Sequence, residues 1–138
     1  MKNPNGLTSI TLNKTRPNAK QEDNTVANKI MKNIDLASPL ALPALVTYQA
    51  GQIVSRTLVQ NRAVSLTLFA FDTNEEISSH ESKGDAMVQI LDGKAKITIG
   101  DGTYFLSAGE TVVMPAGVPH ALEAVEPFKM LLTVIFPN

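Results

Sequence analysis

The chain has no cysteine among its 138 residues. That excludes disulfides, thiolate metal sites and one class of covalent nucleophile. It has only two histidines, His80 and His120. No apolar run approaches the roughly 18 residues of a membrane helix. The start, "MKNPNGLTSITLNK", lacks the apolar core of a signal peptide. No glycine-rich phosphate loop, nucleophile elbow or pair of carboxylates appears. Positive charge is also scarce where it would matter. Formal net charge is −1, made of +3 in residues 1–40 (six Lys/Arg, three Asp/Glu) and −4 in residues 41–138 (six and ten). The larger part therefore has no basic stripe, which argues against nucleic acid as a partner. The expectation is a cytoplasmic protein that neither enters a membrane nor binds nucleic acid.

What is present is enough for one folded domain. Hydrophobic residues make up 43% of the chain, and a chain of this length buries roughly two-thirds of its unfolded surface. The sequence divides near residue 40. Residues 1–24 are polar and asparagine-rich, and they lack the apolar surface to offset the entropy of ordering; they are expected to form a flexible extension. Val26, Ile30 and Ile34 then recur every four residues beside Met31, which predicts a short helix over 25–36 with Asn24 as its cap. Pro39 and Pro43 mark the entry to the main body, residues 41–138.

From Leu45 onward the pattern is all β. Short apolar-alternating segments are separated by turn residues at nearly every gap. The segments are "LVTYQ", "IVSRTLVQ", "VSLTLFAFD", "ISSHES", "AMVQIL", "KAKITI", "TYFL", "TVVM", "PHALEAV" and "FKMLLTVIF", about ten strands. With no helical pattern between them, the architecture is a sandwich, barrel or jelly roll. "MLLTVIF" is apolar on both faces and is expected to be sheltered on both sides. Arg56, in "IVSRTL", reads as a surface or salt-bridged residue.

Two segments carry a family resemblance. Residues 109–120, "GETVVMPAGVPH", fit the second cupin motif, with Gly109, Pro115, Gly117 and His120 at the family's spacing. Residues 80–93 lie on the first motif, with His80 at its first histidine and Gly93 at its closing glycine. "SRTL", "LFAFD", "GDAMVQILDG" and "FKMLLTV" further resemble a branch of small single-domain bacterial cupins poor in metal ligands. The resemblance spans about residues 45–136. It implies a cupin double-stranded β-helix, a jelly-roll barrel, and a homodimer paired through outer sheets. The apolar "MLLTVIF" and "LFAF" segments offer surface for such pairing.

Carried over residue by residue, the resemblance implies a depleted metal site. His80 takes the first ligand position and His120 the last. The second-histidine position is Ser82, the glutamate position is Ala86, and a position often held by asparagine is Ala124. Strand alternation places Glu81 and Glu123 on the face opposite the two histidines. Asp85, in the loop before Ala86, is the remaining acidic candidate. Catalytic first-row metal sites usually take three protein ligands. The implied cofactor is therefore none, or at most a weakly held divalent metal on His80 and His120. The expected pocket is lined by His80, Ser82, Ala86, His120, Leu122 and Ala124, and suits a small-molecule ligand. Two alternatives stand beside this binding module. One is a metal-dependent isomerase or dioxygenase using both histidines. The other is a dimeric scaffold with a vestigial pocket.

Overall fold

Val, Ile, Thr and Phe crowd the segments between turns, and these segments become strands. The computed structural model describes residues 30–138. Nine strands run in it: β1 (Ile53–Gln60), β2 (Val64–Phe71), β3 (Glu76–His80), β4 (Asp85–Asp92), β5 (Lys94–Ile99), β6 (Gly102–Ser107), β7 (Thr111–Met114), β8 (His120–Ala124) and β9 (Phe128–Ile135). They form two antiparallel sheets, ordered β1-β2-β9-β4-β7 and β3-β8-β5-β6. Consecutive strands alternate between the sheets through much of the chain, which is the jelly-roll pattern expected from the sequence.

The inward faces meet in one apolar core. Val88 and Ile90 of β4, Ile97 of β5, Leu122 of β8 and Phe128 and Met130 of β9 are all buried in it. Phe71 pairs with Phe128 across β2 and β9, and their rings stack at 4.4 Å between centroids. The turn from β4 to β5 requires glycine. Gly93 has φ +77°, and a Cβ there would collide with the carbonyl of Pro127. Only a residue without a side chain tolerates both conditions.

The outer face of the five-stranded sheet is also covered. Leu58, Val59, Leu68 and Ala70 are buried on it together with Val46, and Met31, Ile34, Leu42, Leu45, Tyr48 and Leu131 pack around them. The cover is the chain's own segment 31–48, a strap with little regular structure. Most of the doubly apolar β9 is thus sheltered on both sides as expected, although Ile135 at its end is 55% exposed. The surplus apolar surface that suggested pairing through this sheet is occupied by the strap.

Two expectations need revision. The helix predicted over 25–36 is absent from its described part, residues 30–36, which forms bends. Asn33 and Ala37 sit at φ 61° and 54°, a left-handed conformation that stops a right-handed helix. Ile34 and Met31 reach the apolar cluster without one. Residues 31–138 form one compact unit. The tenth expected strand, "LVTYQ", is not a strand. Pro43 starts a 3-10 turn over Leu42–Leu45, and Val46 and Tyr48 lie over the outer cluster instead of pairing at a sheet edge. The flexibility expected for residues 1–24, like the first part of the helix, lies outside the described residues.

Candidate functional site

β8 brings His120 inward. His120, Leu122 and Ala124 alternate as buried residues along it, with Ala121 and Glu123 between them. The loop delivering this strand is tied down at two points. Asp85 Oδ1 accepts from the Ala116 N–H at 2.9 Å, and the Ser82 carbonyl accepts from the Gly117 N–H at 2.9 Å. Asp85, an acidic ligand candidate in the sequence, is thus an anchor for the "PAG" turn.

His80 reaches the same place through a bulge. Ile77 pairs with Leu122, and His80 pairs with His120, so three steps on β3 match two on β8. Strict alternation from Ile77, which packs against the core, would turn His80 to the other face. The extra residue restores it, as bulges re-aim side chains elsewhere. The two rings stand edge to face, 4.4 Å between centroids at 69°. His120 is 3% exposed, whereas His80 is exposed.

Both rings are oriented in the same way. Nδ1 of His80 lies 3.0 Å from the Ser78 carbonyl, and Nδ1 of His120 lies 3.2 Å from the Val118 carbonyl. A carbonyl can only accept, so each Nδ1 carries the proton, and in the neutral ring Nε2 keeps its lone pair. The His120 imidazolium is disfavoured, so its pKa lies below the ordinary histidine value. Burial is the main cause and the charge of His80 the second, while the Val118 carbonyl partly opposes them.

The other predicted site residues do not gather around the pair as ligands. Ala86, Leu122 and Ala124 belong to the packed core. Leu122 is the next inward residue of β8 below His120, flanked across the ladders by Ile97 and Ile77. Ser82 follows the end of β3, and its Oγ accepts from the Gly84 N–H at 3.2 Å. Among the described residues, no group of three His, Cys, Asp or Glu side chains is placed to hold a metal ion. Two imidazoles with a committed hydroxyl and an apolar Ala86 do not fit the three-ligand requirement of a catalytic first-row ion.

Arg56 has a role that the sequence did not disclose. It makes no ion pair among the described residues. Its Nε donates to the Asn33 carbonyl at 2.7 Å and its Nη1 to the Leu45 carbonyl at 3.0 Å. It clamps both arms of the strap. The β3 bulge was likewise hidden, since "ISSH" holds no glycine or proline to announce it; the one available signal was the parity conflict between an inward Ile77 and an inward His80.

The comparisons agree with this geometry. The cupin domain profile matches residues 67–136, which includes both histidines. A crystal structure of a conserved protein of unknown function from Streptococcus pyogenes is 49% identical, covering 80% of this chain and 96% of that one, with a TM-score of 0.78. A cupin superfamily protein from Desulfitobacterium hafniense is 33% identical over 78% of this chain and 98% of that one, with a TM-score of 0.75. An uncharacterised protein of Streptomyces coelicolor is 29% identical over 79 residues, 57% of this chain and 75% of its own length. No helix among the described residues is long and apolar enough to cross a membrane. With the domain profile matched over half its length and both histidines set in a two-sheet jelly roll, the chain belongs to the cupin family.

Proposed function

We propose that this cupin is a small-molecule binding module whose recognition element is the His80–His120 pair, working without a tightly held metal. The observation that carries the reading is the common orientation of the two rings, each with Nδ1 held by a backbone carbonyl. That arrangement commits one nitrogen of each ring and leaves Nε2 for a ligand. A protonated Nε2–H donates to an oxygen, and the charge makes the bond stronger when that oxygen is anionic. Placing a second proton on the pair is opposed by the first, because like charges this close repel. The ligand class is therefore a small molecule with a carboxylate or carbonyl oxygen. The apolar residues below the pair supply no competing charge.

The same Nδ1 contacts favour a second reading. Metal-ligating histidines also hold the distal nitrogen on a carbonyl or carboxylate. A metal-dependent enzyme would still need a third ligand from outside the described residues or from the substrate.

One experiment separates the readings. The two imidazoles are followed by NMR while acetate, pyruvate and succinate are added as probes, and nickel and zinc are titrated by calorimetry in parallel. The binding module is expected to show joint shifts of both rings with a carboxylate probe, weakening as pH rises and the charged ring loses its proton. Nickel or zinc should bind only weakly. Near-stoichiometric tight metal binding would overturn the first reading in favour of the second. Silence of both rings toward every probe would leave the dimeric scaffold with a vestigial pocket.

A further inference from the structure

β1 lies at the edge of the five-stranded sheet, and only one end of that edge is closed. The Asp72 N–H donates to the Gln52 carbonyl at 3.1 Å, so Gln52 faces the β2 side. In an antiparallel ladder main-chain groups turn to the same side every second residue. Val54 and Arg56 therefore bond toward β2, while Ile53, Ser55 and Thr57 turn outward. Asn33 bears out this parity at the far end, where its Nδ2 donates to the Thr57 carbonyl at 2.7 Å. At the bulge the Leu58 carbonyl accepts from the Lys32 N–H. The strap thus takes the carbonyls of Thr57 and Leu58. The N–H and C=O groups of Ile53 and Ser55 stay open, and nothing among the described residues bonds to them.

An open groove of about 530 Å³ lies at this edge. Lys32 and Asn33 line it from one arm of the strap, Leu45 and Gln49 from the other, and residues 54–57 from β1. Its only charged lining residues are Lys32 and Arg56, both positive. The body around it has the opposite sign, since residues 41–138 carry a formal −4. Arg56 gives its Nε and one Nη1 hydrogen to the Asn33 and Leu45 carbonyls, and a guanidinium has five N–H donors. Side chains alternate along the strand: Ile53 packs on the inner core and Val54 on the outer cluster. Arg56, two residues from Val54, shares the outer face.

We propose that this groove docks an extended acidic peptide segment, added to the sheet as a further strand beside β1. Main-chain pairing at a free sheet edge supplies the affinity of such a segment, and its alternate side chains supply the choice of partner. In an antiparallel register two peptide residues, two apart, exchange N–H···O bonds with Ile53 and Ser55. The residue between them lies opposite Val54 and points to the same face. Arg56 is its diagonal neighbour, within reach of a long side chain. A glutamate there meets the guanidinium and the Lys32 ammonium in charge-assisted bonds, which are the stronger kind. Asn33 stops the added strand at Thr57, so the contact is short and the binding is weak. The proposal makes no use of the histidine pair.

The probe is a pentapeptide blocked at both ends, TVEVT, added to the isotope-labelled full chain and followed by NMR. In the expected register its valines pair with Ile53 and Ser55, and its glutamate reaches Arg56. The amides of Ile53 and Ser55 should shift, and both should exchange with solvent more slowly when the peptide is bound. Two altered peptides separate charge from pairing. Lysine in place of the glutamate should weaken binding roughly tenfold or more, the worth of a hydrogen bond to a charged group. Methylating both valine nitrogens should abolish it. Lys32→Glu should weaken TVEVT binding by a similar factor with little change in Tm, and Lys32→Arg should retain it. Absence of shifts at Ile53 and Ser55 overturns the proposal. So does a lysine or methylated peptide that binds as well as TVEVT. Slow exchange of both amides in the free chain also overturns it, because the edge is then already filled by the chain's own residues. If Lys32→Glu lowers Tm sharply, the peptide series on the unmodified chain decides.

Discussion

The five-stranded sheet has two apolar faces, and they are covered by different means. On the inner face a second sheet supplies the cover. Its ladders fix the backbone, and the core between needs only apolar side chains, with Phe71 stacked on Phe128 at its centre. On the outer face the cover is a strap that belongs to no ladder. It is held by side chains reaching for backbone: Arg56 to Asn33 and Leu45, Asn33 Nδ2 to the Thr57 carbonyl, and Lys129 to the Pro43 carbonyl. Tyr48, on which Lys129 also sits at 5.0 Å from the ring centroid, donates to Asp92. Regular pairing lets hydrophobic burial act alone; irregular cover needs polar latches as well, because its own peptide groups have no ladder to satisfy them.

The contrast is sharpest if one stack is removed. Phe128→Ala empties the inner core and is expected to cost about 3–5 kcal/mol, read as a drop in the urea midpoint of the whole domain. Arg56→Ala opens the outer cover and is expected to cost less, roughly 1.5–3 kcal/mol for bonds from a charged donor. Its distinguishing readout is local. The Lys32 N–H, bonded to the Leu58 carbonyl at 2.9 Å, should exchange faster than the amides of β9. If both variants lower global stability equally and Lys32 exchange stays slow, the strap is not a separately latched layer. Tyr48→Phe removes one latch and should cost about 1 kcal/mol, again with the change confined to the strap.

The smallest effect lies at the rim of the inner core. His120 is held below its ordinary value in the folded state, so the unfolded chain takes up a proton there that the folded chain resists. Stability contributed by the neutral ring is then full above about pH 6.5 and falls as pH drops through and below that value. His120→Phe should flatten this slope in a pH series of melting curves. An unchanged slope would place the acid sensitivity elsewhere.

The contrast also explains what the sequence reveals. Inner-face strands alternate strongly, and turns such as Asp92-Gly93 bound them, so β1, β5 and β7 fall on the segments expected from pattern alone. The strap follows no period. Val26, Ile30 and Ile34 imitate a helical face, and "LVTYQ" imitates a strand, yet the described part of each segment is shaped by packing over a sheet that local periodicity does not report. At the site, the second motif made His120 legible because glycine and proline mark its loop. The orientation of His80 was not legible, because it depends on pairing with a strand forty residues away.

The bulge in β3 separates a residue's place in the string from its place in the ladder. Between Ile77 and His80 the chain spends one residue more than β8 does, so two chains could hold the same pair of rings face to face while differing in length there by one. A comparison that aligns letters without a gap would then set this histidine against the wrong neighbour. Correspondence at this rim is properly counted along the hydrogen-bonded rungs, with His120 as the origin.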